Sequence, residues 1–247
     1  MIKFTSVKRA VKILLLGDNA VDNRLRPESK KHIIRCAYKV LSRNGAANFS
    51  IRQVAQECGS SVSGLYRHFA SRDELLVYAS LMSMEAYYKE LGSMVNKYSS
   101  SIDSYFEIER MFAKYSFSEP EMFYNIYFGI PDGDLDKIML DSFALFENSP
   151  EEFFLFQFGK RFIGGGISGR NMAMLMKCHE EGFFNISEEE LMVFNTGIIN
   201  LYRGFLDKAI SMKRRGEDIS GLAGEYLFTH RMLHKSILSS KADISVI

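Results

Sequence analysis

The chain has 247 residues, of which 47% are hydrophobic, 25% charged and 13% aromatic; these ordinary globular values exclude disordered, collagen-like and disulfide-scaffold classes. The net charge of +1 hides an asymmetry. Residues 1–80 carry 14 Lys and Arg against 6 Asp and Glu, a surplus of +8, and the remainder carries 17 against 24, a deficit of −7. A basic head on an acidic body directs the head towards a polyanion.

No apolar run approaches the ~18–20 residues that span a bilayer, so no membrane association is expected. Near the N-terminus, the apolar stretch Ile13 to Leu16 is short and is followed by Asp18 and Asp22, which is a poor match to a secretory leader. The cysteines, Cys36, Cys58 and Cys178, are odd in number and have no CxxC or metal-type spacing. Free thiols in a reducing cytoplasm are the expectation.

Residues 1–29 form a basic extension with 6 Lys and Arg against 3 Asp and Glu. Val7, Val11, Leu14 and Leu15 could share one face of a short helix there, and Gly17 to Pro27 has the composition of a linker. From Lys31 onward the periodicity is helical almost without interruption. Helix starts are marked by Ser followed three residues later by Glu or Gln: Ser50/Gln53, Ser71/Glu74, Ser118/Glu121, Ser149/Glu152 and Ser187/Glu190. Gly45, Gly182 and Gly216 fall where helices should stop.

Between residues 31 and 80 three short helices are predicted. The first runs from Lys31 to Asn44, with Ile33, Ile34, Ala37, Tyr38 and Leu41 inward. The second spans Ile51 to Glu57, Cys58-Gly59-Ser60 makes a tight turn, and the third covers Ser61 to Phe69. Two short helices joined by a Gly-containing turn make a helix-turn-helix, whose second helix can enter a major groove.

The run SIRQVAQECGSSVSGLYRHFASRDELL, Ser50 to Leu76, resembles the DNA-binding region of the TetR family of transcriptional regulators. The family's recurring positions stand here, in order and without gaps, as Ser50, Val54-Ala55, Gly59, Leu65-Tyr66, His68-Phe69 and Ser71-Arg72-Asp73-Glu74-Leu75. Val62 and Ser60 depart from the usual polar residue and the usual Val. The likeness covers about a fifth of the chain in detail. It implies an all-α protein: a three-helix helix-turn-helix domain over residues 30–75, then a larger helical domain, 76–247, for ligand binding and dimerisation. It also implies a cytoplasmic homodimer bound to a palindromic double-stranded operator, acting by the family's usual sign as a repressor, and released by a small-molecule effector.

The residues expected at the DNA are Ser50, Arg52, Ser61, Val62, Ser63, Gly64, Tyr66, Arg67, His68 and Arg72. Ser50 at a helix N-terminus can offer its hydroxyl and the helix dipole to a phosphate, and the resemblance places Tyr66 and Arg72 at phosphates too. Ser61 to Gly64 open the recognition helix with little bulk, and Arg52 and Arg67 are long donors that could pair with guanine. Ser50 and Ser71 also serve simply as caps, and His68 suits a packed position as well as a base-reading one.

A long helix is expected from Arg72 to about Lys97, and in the resembling family it joins head to body. Residues 115–162 are heavily aromatic, as suits a mostly apolar ligand site or a plain close-packed core; Phe123, Tyr127, Phe143, Phe154 and Phe158 are candidate ligand contacts. Two long helices, Ser187 to Arg215 and Ser220 to Leu238, close the chain. Leu191, Phe194, Ile198, Leu201 and Phe205 form an apolar stripe on the first, and the resemblance makes it the dimer interface.

Gly164, Gly166 and Gly169 spell a G-x-G-x-x-G, which leaves a nucleotide-binding enzyme as the alternative, although that loop needs a preceding strand and a βαβ unit. His230 and His234 have a ligand spacing without a third partner. No nucleophile–base pair is visible, so neither catalysis, a metal nor a cofactor is expected.

Overall fold

Three helices in and beside the head, those starting at residues 51, 62 and 72, begin where a serine hydroxyl satisfies an otherwise unpaired amide. In the computed structural model, which describes residues 27–93, 100–146 and 165–242, α1 spans Pro27–Asn44 and ends at Gly45. Helix α2, Ile51–Cys58, is capped by Ser50, which accepts from the Gln53 amide at 3.3 Å. Gly59 ends it at φ 64°, a left-handed conformation that a side chain would resist. Helix α3, Val62–Leu65, is capped by Ser61, and helical hydrogen bonds continue from Leu65 to the His68 and Phe69 amides. The third predicted helix is therefore present, but regular for only its first turn.

The long helix predicted from Arg72 is broken. Helix α4, Arg72–Leu81, gives way to a 3-10 turn at Met82–Met84, and α5, Glu85–Gly92, follows. At the joint Ser83 Oγ donates to the Ser80 carbonyl at 2.7 Å, a local bond that competes with the regular ladder. Ser71 caps α4, while Glu74 reaches back to the Ala70 amide rather than to that of Ser71.

The body continues with α6 (Ser101–Ser118), α7 (Pro120–Phe128), α8 (Asp132–Phe146), α9 (Gly166–Glu180), α10 (Glu188–Arg214) and α11 (Leu222–Lys235). Ser187 and Glu190 form the predicted reciprocal box at the start of α10. Ser118 does not cap α7. It is the last residue of α6 and donates to the Tyr115 carbonyl, because Pro120, with no amide to satisfy, already opens the next helix. The Ser149/Glu152 box and the short helix proposed in the N-terminal extension lie outside the described residues.

No strand occurs among the described residues, where one isolated antiparallel bridge joins Phe184 to Leu238. Nor is any described helix long and apolar enough to cross a membrane.

Helix α4 connects head and body. Every residue from Leu75 to Leu81 is buried, because α1 packs on one side of it and α7 and α8 on another. One continuous core results, running from Ile33 in the head to Ala242. A polar clamp crosses the same junction: Lys30 Nζ on α1 lies 2.8 Å from Asp141 on α8 and 3.0 Å from the Tyr78 hydroxyl, which donates to Asp141 at 2.6 Å.

In the body, α6 packs against α11 and brings Glu109 and His230 together in the core. Tyr226 donates to Glu109 at 3.0 Å, and the Tyr105 hydroxyl lies 3.0 Å from His230 Nε2. Burial raises the Glu109 carboxyl to about 7, only partly offset by the Tyr226 hydrogen bond. Burial holds His230 well below its usual value and His234 at about 4. The 3.8 Å approach of His230 to Glu109 is thus not an ion pair at neutral pH.

The two linkages oppose one another. Glu109 binds its proton more tightly folded than unfolded, so its contribution falls as pH rises from about 4.5 to about 7. His234 stays neutral when folded, so its contribution rises between about 4 and 6.5. Glu109→Gln keeps an acceptor for Tyr226 and removes the buried carboxylate. It is expected to stabilise the chain at pH 8 by on the order of 2–3 kcal/mol and to change little at pH 4. Urea unfolding at the two pH values checks this; equal effects at both would show that Glu109 ionises freely.

Candidate nucleic-acid interface

The helix-turn-helix separates buried residues from exposed residues along one continuous stretch. Ile51, Val54, Ala55, Leu65 and Phe69 are buried. Arg52, Ser61, Val62, Ser63, Tyr66 and Arg67 are exposed, with Tyr66 50% and Val62 37% accessible. This follows from the 3.6-residue period, since the residues between the inward positions point out together. Tyr66 and Val62 are among the large hydrophobic side chains that the chain leaves exposed.

The caps do not exhaust the serines. Ser50 Oγ accepts the Gln53 amide and Ser61 Oγ accepts the Gly64 amide at 3.0 Å; each hydroxyl retains a proton to donate. Ser63 Oγ lies 3.0 Å from Ser61 Oγ. Gly64 is half-buried, and a Cβ there would approach Ser60 Oγ to 2.9 Å, so it keeps this turn narrow.

Two of the expected contact residues also make contacts within the chain. Arg72 donates through Nε to the Phe49 carbonyl at 3.1 Å and through Nη2 to the Ala46 carbonyl at 2.9 Å, and Nη1 pairs with Asp73 at 2.7 Å. Its guanidinium braces the segment before α2 against the start of α4, over the Phe49 ring. His68 is half-buried against Phe69; burial, with Lys30 and Arg67 nearby, lowers its pKa and keeps the ring neutral. Both residues remain partly exposed alongside these contacts.

In the body, Phe123 and Tyr127 are buried, at 1% and 6% exposure, in a ring cluster around Phe112. Phe154, Phe158 and the side chain of Phe143 lie outside the described residues.

The proposed dimer stripe faces inward. Leu191 and Ile198 are buried in the chain's own core, and Phe194, Leu201 and Phe205 pack against it. The residues that sequence periodicity passed over are exposed on the outer sides of the same helices: Met192 and Val193 on α10, Phe228 and Met232 on α11, with Val193 74% and Phe228 68% accessible.

The glycine loop does not form a nucleotide cradle within what is described. Gly164 lies outside, and Gly165 and Gly166 open α9 with positive φ. The chain's own carboxylates take that helix end. Asp132 Oδ1 would stand 2.1 Å from a Cβ on Gly166, and Asp136 faces the Gly166 amide at 3.5 Å while pairing with Arg170 at 2.8 Å. A phosphate would meet negative charge there.

One grouping was illegible in linear spacing: Cys58, at the end of α2, comes against Cys36 and His32 of α1. The one-turn His32–Cys36 spacing was the only available signal.

Residues 33–79 match the family model described as "Bacterial regulatory proteins, tetR family". An uncharacterized HTH-type transcriptional regulator of Bacillus subtilis, YerO, is 36% identical over 52 residues, 21% of this chain and 18% of the relative. An HTH-type transcriptional regulator of Staphylococcus aureus (strain USA300) is 25% identical over 76 residues, 31% of this chain and 41% of the relative. The chain thus spans less than half the length of the curated relatives it matches.

Among solved structures, Thermus thermophilus FadR, a TetR-family transcriptional repressor in complex with lauroyl-CoA, aligns with a TM-score of 0.53 at 14% identity, covering 86% of this chain and 97% of that one. A Rhodococcus protein of unknown function aligns at 0.53 and 13%, covering 89% and 100%. At these identities the likeness is one of fold. The head, residues 33–79, is thus similar to the DNA-binding region of the bacterial regulatory proteins of the tetR family, and the helices behind it share the fold of these two solved structures.

Proposed function

We propose that this chain is a homodimeric, sequence-specific DNA-binding regulator, a repressor released from a palindromic operator by a small, largely apolar ligand. The observation that carries it is the outward set Arg52, Ser61, Val62, Ser63, Tyr66 and Arg67, raised on a buried Ile51–Val54–Leu65–Phe69 base and sitting on the basic end of the chain. Ser50 and Tyr66 supply phosphate contacts, Arg52 and Arg67 the base-edge donors, and Val62 an apolar contact suited to a thymine methyl. Arg72 and His68 position this surface.

Two-fold pairing comes from the outer sides of α10 and α11. Gly197, Gly204 and Gly224 lie in these helices with nothing within 4 Å of a built Cβ, so packing within the chain does not require them. Each glycine costs a helix ~0.5–1 kcal/mol relative to alanine; close approach of a second copy gives them a use. Pairing there would place the two heads about one DNA turn, ~34–36 Å, apart. The lauroyl-CoA held by the FadR neighbour supports an acyl-type ligand for the aromatic body. Such a ligand acts by preferring one head spacing over another, through α4 and the Lys30–Asp141 clamp.

The test is fluorescence anisotropy against DNA flanking the chain's own gene, with scrambled DNA as control, at two salt concentrations. Tight binding that weakens steeply with salt is expected. Arg67→Ala should weaken it by ~5- to 150-fold, equivalent to ~1–3 kcal/mol, and relax preference at one base step. Equal, weak binding to both DNAs, unchanged by the substitution, would refute sequence reading by this surface.

A further inference from the structure

Behind the base-reading surface, three side chains with metal-binding atoms meet. His32 and Cys36 stand one turn apart on α1, and Cys58 is the last residue of α2, immediately before the Gly59 turn. One ligand atom from each lies within 4.8 Å of the other two, and Cys36 Sγ is 3.7 Å from His32 Nε2.

Tetrahedral zinc, with Zn–S of ~2.3 Å and Zn–N of ~2.0–2.1 Å, has ligand–ligand edges of about 3.6–3.8 Å. The His32–Cys36 edge already has that length, and the other edges need to close by about 1 Å or less. Cys58 is half-buried at the end of a helix, packed at the margin of the core rather than within it. Both cysteines are free. Two sulfurs and an imidazole, with no carboxylate among them, select a soft or borderline cation over magnesium or calcium.

We infer that His32, Cys36 and Cys58 bind a thiophilic divalent cation of the zinc type, with water completing the coordination through the exposed His32 side. As the ion enters, each thiol releases its proton to solvent and two metal–sulfur bonds form; no electron is transferred. The ion ties α1 to the end of α2, adjacent to the turn that sets the recognition helix. It lies in the head irrespective of what that head binds, so its success or failure is separate from that of the DNA assignment.

The experiment is titration of the full chain, kept reduced with a phosphine, with Co²⁺ followed by Zn²⁺. Expected are a thiolate-to-cobalt charge-transfer band saturating at one ion per chain, its bleaching by zinc, and a higher melting midpoint with zinc present. Cys58→Ser and His32→Ala should each weaken cobalt binding by about tenfold or more, and Cys178→Ser should leave it unchanged. Because Cys36 is buried and its replacement could unfold the head, the half-exposed Cys58 and exposed His32 decide the matter, with helical circular dichroism as the folding control. Absence of the band with cobalt in molar excess would overturn the site. So would a band of undiminished affinity in folded Cys58→Ser.

Discussion

Truncating Phe112 to alanine is expected to cost about 3–5 kcal/mol of folding stability. Its ring is the hub of the body's core, with centroids 5.8 Å from Tyr87, 5.6 Å from Phe123, 5.7 Å from Tyr127 and 5.0 Å from Tyr202. Three of these contacts are edge-on, the arrangement favoured by the ring quadrupole and worth ~0.5–1.5 kcal/mol per pair beyond burial. Four rings anchored on α5, α7 and α10 cannot all move inward to fill the void, so the cavity term persists. Denaturant unfolding monitored by circular dichroism measures the loss. A cost below about 1 kcal/mol would mean that the ring already borders open space, and the body would then hold a preformed cavity beside Phe112.

The second large effect concerns association. Introducing Val193→Asp together with Phe228→Asp places carboxylates where the proposed dimer would be most apolar. In a two-fold interface each substitution counts twice. Burying these charges should weaken pairing by about 4 kcal/mol or more, on the order of 1,000-fold. Folding itself should shift by no more than ~0.5 kcal/mol, because both side chains are exposed in the single chain. Analytical ultracentrifugation should show a dimer for the parent chain and a monomer for the variant. A variant that still sediments as a dimer would remove α10 and α11 from the interface, and a monomeric parent would remove the homodimer.

The head was legible because its signals are local. Ser50 and Ser71 cap within three residues of themselves, Gly59 needs only its own φ, and the buried and exposed positions between Ile51 and Phe69 follow one helical period. The break at Met82–Met84 was not legible, since no Pro or Gly marks it and its cause is a serine bonded to a carbonyl three residues back. On α10, the stripe of Leu191, Phe194 and Ile198 shows that one face is buried without saying by what; it is buried by the same chain. The outward Val193 and Phe228 carry no periodicity and stand out only once the helices are placed. The meeting of Cys58 with Cys36 depends on how α2 packs on α1, a long-range fact that spacing alone does not contain.

The partition of the helix-turn-helix into a buried base and an exposed outer set bears on how such a regulator could change its target. Arg52, Val62 and Arg67 are exposed, so exchanging them should alter stability by no more than ~0.5 kcal/mol each, whereas Ser61 also caps α3 and its loss should cost ~0.5–2 kcal/mol. Leu65 and Phe69, each two positions from Arg67, are fixed by a core that continues through α4 into the body. If this surface reads DNA as proposed, its preference can drift, or be selected in a library, through a series of intermediates that all remain folded. Whole-head exchange between relatives would instead sever the core along α4, making point-by-point recoding of the outer set the more accessible evolutionary route.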